Sequence, residues 1–186
     1  MTFLYTARGA YDSKNNEGKL SWKKYLERSK LVHLEELVSL DGMLNENLVE
    51  PDYDNADDWN CTHIVDKCPT DFFTTLNFVM KRIRITEKFN LLKVVVEPKE
   101  DCEKIDLDGY EFVGYDLLDQ DFNVSAITNC GGFNEIFSPK DLNTRGLIDD
   151  FHKAYDIQKW LLQNNPEEHH AHTNVIAVWR HKTIGR

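Results

Sequence analysis

Apolar positions along this chain fall into short dense runs rather than long stripes, and strands are the first elements they predict. Leu91 to Val96 (LLKVVV) is rich in β-branched residues, apolar on both faces and closed by Pro98. Such a run suits a strand inside a sheet, with Lys93 as the exception, expected at the strand's open end. Val175 to Trp179 reads the same way. Tyr110 to Leu118 and Phe122 to Thr128 read as the arms of a hairpin closed by Asp119-Gln120-Asp121, which runs on into Gly131-Gly132. In the first arm Tyr110, Phe112 and Leu118 share one face, while Val113, Tyr115 and Leu117 share the other, so both faces need cover. Gly114, mid-strand, predicts a bulge or the close approach of another backbone. Leu34 to Leu40, for which a helix is the alternative, and Cys61 to Val65 complete the expected strands.

Two stretches carry the helical period. Pro69 and Thr70 are expected to open a helix with Asp71 at its positive end and Lys81, Arg82 and Arg84 in its last turns. Its buried stripe would be Phe72, Phe73, Leu76, Val79, Met80 and Ile83, leaving Phe78 off the stripe. The last helix is expected after Asn143, Thr144 and Gly146, stopping at Asn164-Asn165-Pro166. Its stripe would be Leu147, Ile148, Phe151, Ala154, Tyr155, Leu161 and Leu162. Trp160 falls outside, among Asp149, Lys153 and Asp156. Ser21 is placed to cap a short helix through Ser29. Residues 1 to 30 therefore read as an arm or added layer and 31 to 186 as a single domain. The expected fold is α+β: one mixed, largely antiparallel sheet covered by two principal helices, with a short N-terminal helical arm.

Composition narrows the classes. With 41% hydrophobic and 29% charged residues the chain has the make-up of a folded globular protein, not of a disordered one. No window approaches the run of about 18 apolar residues that a spanning helix needs, and the N-terminus lacks a secretory pattern, so a cytoplasmic location is expected. The formal net charge is −10. That sign repels phosphates and anionic lipid and attracts a basic protein, so no nucleic acid and no membrane is expected among the partners. The four cysteines form no recognised ladder, and free thiols are expected.

Three constellations can carry chemistry. The loop Asp52, Tyr53, Asp54, Asn55, Ala56, Asp57, Asp58, Trp59 mixes aromatics with carboxylates, as protein interfaces do, and Trp160, on a charged helix face, is expected either under the N-terminal arm or offered to a partner. It lacks the glycine and closing glutamate of a calcium loop. His169, His170 and His172 are potential metal ligands, which Cys61, His63 and Cys68 could extend, but no recognised ligand spacing is present. Cys130 precedes Gly131-Gly132, whose amides could face an oxyanion, with His152 or the histidine segment as base. The leading expectation is a non-enzymatic acidic protein-binding domain, of the inhibitor or immunity-protein kind, without a cofactor. The contacts expected are Asp52, Tyr53, Asp54, Asp57, Asp58, Trp59 and Trp160. The alternative is a small hydrolase or transferase using Cys130 with His152, His170 or His172, or a metal on His169, His170 and His172.

Overall fold

A computed structural model describes residues 1–14, 20–84, 88–129, 137–164, 166–168 and 170–185. Among these the chain is mixed α and β, with one antiparallel sheet of six strands and four α-helices. In chain order the elements are β1 (Leu4–Gly9), β2 (Tyr11–Asp12), α1 (Trp22–Ser29), β3 (Glu36–Leu37), α2 (Ala56–Cys61), β4 (Thr62–Val65) and β5 (Cys68–Phe73). There follow α3 (Leu76–Arg82), β6 (Phe89–Val96), β7 (Tyr110–Asp119), α4 (Phe151–Asn164) and β8 (Thr173–His181). The sheet runs β4-β5-β1-β6-β8-β7, and β2 pairs with β3 apart from it. Every strand pairing is antiparallel, so the sheet is not mixed.

The runs that are apolar on both faces became interior strands. β6 lies between β1 and β8, and β8 lies between β6 and β7. One face carries Leu4, Leu92, Val94, Ile176 and Val178, covered by Val38, Leu40, Phe122 and Leu147 from irregular chain. The opposite face meets α3 through Phe78 and Val79, which pack with Ala7, Phe73 and Leu91. It meets α4 through Ala154 and Ile157, in the cluster that holds Val95, Val175, Ala177 and Trp179.

The first thirty residues, expected as an arm, supply β1, the third of six strands in spatial order, and α1, whose Trp22 and Tyr25 are buried. Tyr11 and Tyr25 pack at a tilt with centroids 5.3 Å apart, and the Tyr25 hydroxyl donates to the Thr128 carbonyl at 3.1 Å. Strand β1 was not legible because its partners lie more than sixty residues away.

The helix expected from Pro69 starts seven residues late. Asp66 and Lys67 both have positive φ and turn β4 back onto β5, a hairpin that claims Phe72 and Phe73 for opposite faces of the sheet. Thr75 then caps α3, its hydroxyl accepting the Phe78 N–H at 3.2 Å. In consequence Phe78 is buried against Phe73, centroids 5.1 Å apart, and Met80 is exposed. The last helix likewise begins at Phe151, not at Leu147. Leu147 and Ile148 are extended, and Ile148 exchanges backbone hydrogen bonds with Tyr115. Leu162 is exposed, and Trp160 is half-buried.

Only the first arm of the hairpin at Tyr110 is a full strand. The second is held by one bridge, Leu118 to Ser125, before the chain turns away. Asp119 explains the departure: its Oδ1 accepts the Asn123 N–H at 2.8 Å, giving the backbone an alternative to a ladder. Gly114 behaves as its position predicts. The register shifts there, its φ is +132°, and a Cβ would meet the Leu147 Cβ at 2.7 Å and the Ile148 carbonyl at 2.9 Å.

Candidate functional site

The acidic loop folds into a knob on α2, which leads straight into the edge strand β4. Its shape comes from side chains accepting nearby amides. Asp52 Oδ1 accepts the Asp54 N–H at 3.1 Å, and Asn55 Oδ1 caps α2 by accepting the Asp57 N–H at 2.9 Å. Asp58 does different work from its neighbours. It is buried, accepts the Asp52 N–H at 2.9 Å, and meets Arg82 of α3 through two 2.8 Å contacts. The Arg82 hydrogen bond holds its carboxyl below the usual range. Asp58 ties the knob to α3 and is not offered to solvent, whereas Asp52, Asp54 and Asp57 are exposed.

Tyr53 and Trp59 stand on the outer side of this knob in edge-to-face contact, centroids 6.0 Å apart. They remain 42% and 39% exposed. A cleft of about 410 Å³ runs between α2 and α3, its lining including Asn55, Asp57, Cys61, Thr75, Asn77 and Lys81 but neither ring. Trp160 does not join this surface. Its helix packs on β7 and β8, at the sheet edge opposite β4.

Cys130 and His169 lie outside the described residues. Of the other histidines, His152 is exposed on the first turn of α4. His172 shares a groove with Lys159 and Leu162 near the other end of the helix. Ten residues at 1.5 Å each separate residues 152 and 162, about 15 Å, so His152 is not gathered with His170 and His172. Cys61 is half-buried and Cys68 exposed, and His63 is engaged elsewhere, its Nδ1 3.2 Å from Thr70 Oγ1 and its ring on Phe122. Among the described residues no three His, Cys, Asp or Glu side chains converge as a metal site.

Two groupings were not foreseen. Beneath the irregular cover, Asp116 is fully buried and accepts from Leu40 N, Ser39 Oγ, Leu117 N and Ser125 Oγ at 2.6–3.2 Å. Burial raises its pKa. Asp41, also buried, accepts from Met43, Leu44 and Ser125 amides and from Asn129 Nδ2. Arg8 is buried nearby, its Nη1 3.1 Å from Asp71 Oδ2. The Asp116 and Asp41 side chains tie Ser39, Leu40 and Ser125 of the irregular cover to one another and to β7.

The second grouping is a rung across five strands. Phe73, Tyr5, Lys93, Trp179 and Phe112 are register partners in that order. Lys93 is thus mid-strand at the centre of the sheet, not at an open end. Its Nζ lies 4.3 Å from the Tyr110 ring centroid, 5.1 Å from Phe3 and 5.5 Å from Tyr5. Burial lowers its pKa, while the ring faces favour its charged form. Lys93's interruption of an otherwise apolar run was the signal in the sequence. What surrounds it came from four other segments.

No protein-family model matches the chain, and neither a curated protein nor a solved structure matches it. No helix among the described residues is long and apolar enough to cross a membrane.

Proposed function

We propose that this chain is an acidic protein-binding domain that masks a basic partner, of the inhibitor or immunity-protein kind. The observation that carries the reading is the Tyr53–Trp59 pair, held edge to face on a knob whose Asp52, Asp54 and Asp57 face solvent. Large rings fixed before contact lose little freedom on binding and supply contact energy. Carboxylates around them steer a positively charged surface, helped by a net charge of −10. Arg82 and Asp58 serve the reading indirectly, by fixing the knob against α3.

The test is affinity capture from the source cells on immobilised wild type and on Trp59→Ala. A basic protein is expected on the wild type, released as salt rises. Its affinity for Trp59→Ala should fall by about 2 kcal/mol or more, roughly 30-fold in Kd. Equal retention by both proteins, or a partner indifferent to salt, would defeat the reading.

A further inference from the structure

The Lys93 rung stands apart from the α2 knob and asks for a different ligand. In a protein with an excess of carboxylates, Lys93 forms no ion pair among the described residues. The comparison with Arg180 is direct, since that buried guanidinium meets Glu36 at 2.6 Å and Glu111 at 3.1 Å. Among the described residues Lys93 meets rings instead: Phe3, Tyr5 and Tyr110. Two donors in these rows, the Tyr110 hydroxyl and the Trp179 indole N–H, are buried without a hydrogen-bond partner among the described residues. His181 closes the group, its ring edge-to-face on Tyr110 with centroids 4.9 Å apart. A cation and two buried donors therefore stand together with no carboxylate paired to them among the described residues.

The surroundings limit what can reach them. Phe3, Tyr5, Lys93, Phe112 and His181 are each partly open to solvent. Helices α3 and α4 pack on this same face of the sheet, α3 over β1 and β5 and α4 over β8 and β7. A single planar ring is small enough to stack on the partly open aromatic side chains of the rung.

We propose that this partly open rung binds a small molecule bearing a carboxylate on a planar aromatic body, with Lys93 Nζ paired to the carboxylate. Phe3, Tyr5 and Phe112 supply the faces for the ring. The charge requirement and the ring requirement are separable.

Benzoate is the probe, titrated into the full chain while the Lys93 side-chain signals are followed by NMR. Saturable shifts in the millimolar range are expected. Methyl benzoate, which lacks the charge, and acetate, which lacks the ring, should each bind at least ten-fold more weakly. Lys93→Met should weaken benzoate at least ten-fold, and Lys93→Arg should retain it. Should Lys93→Met not fold, the three probes on the wild type decide alone. The proposal is overturned by absent saturation, by methyl benzoate or acetate matching benzoate, or by an unchanged affinity in a folded Lys93→Met. A glutamate-containing peptide that binds where benzoate does not would also overturn it.

Discussion

Asp116 meets four donors with two carboxylate oxygens, each oxygen taking one backbone amide and one hydroxyl. An asparagine there would turn an NH2 toward one of those pairs and leave a buried amide opposed. Asp116→Asn is expected to lower stability by about 1–3 kcal/mol in urea denaturation at neutral pH. The pH dependence has a definite sign. Burial raises the Asp116 pKa above its unfolded value. Its protonation thus favours the fold below the ordinary carboxylate range, and that contribution is lost as pH rises through the raised value. The gap between wild type and Asp116→Asn should therefore change with pH, wild type gaining relative to the variant as pH falls from neutral toward the ordinary carboxylate range. Parallel pH profiles would rule this out. Gly114 shows the complementary case, a residue whose lack of a side chain is required by Leu147 and Ile148 pressed against it.

At the scale of elements, the instructive stretch runs from Cys68 to Arg82. Its apolar spacing satisfies a helix, yet the first half pairs in the sheet because a tight turn at Asp66 and Lys67 makes the β4–β5 hairpin available. Phe72 and Phe73 then each bury on a separate face, which a helix could not offer them. The boundary is marked by Thr75, whose hydroxyl takes the Phe78 amide. Thr75→Ala is expected to cost about 1 kcal/mol, read as a lower denaturation midpoint with unchanged slope. A loss within error would mean that α3 is set by packing alone. The second arm of the hairpin after β7 failed as a strand for a related reason. Ser125 gives its amide to Asp41 and its hydroxyl to Asp116, carboxylates supplied by distant segments.

The whole molecule sets what reaches it. Knob and rung lie in different places, the first on α2 beside the edge strand β4, the second at the centre of the sheet. A net charge of −10 acts at a distance on any basic partner, but only exposed carboxylates near the contact set the encounter rate strongly. Replacing Asp52, Asp54 and Asp57 together by Asn is therefore expected to slow association about ten-fold at low salt and flatten its salt dependence, with dissociation changed less. Stopped-flow mixing with the captured partner reads both rates. A faster dissociation with an unchanged on-rate would assign those aspartates to the contact itself and not to steering.

Residue order by itself determined the strands at Leu91 and Val175, the first arm at Tyr110, the bulge at Gly114 and a helix ending near Asn164. Each rests on patterns local to a few residues, where alternation, β-branching and turn chemistry act directly. Tertiary structure alone decided that β1 enters the sheet, that Asp58 answers Arg82 and leaves the solvent, and that Trp160 lies at the edge away from the knob. It also placed Lys93 among rings of β1, β7 and the residue before β1. Those outcomes join residues that are far apart along the chain, and strand order, which no local pattern encodes, chooses their neighbours.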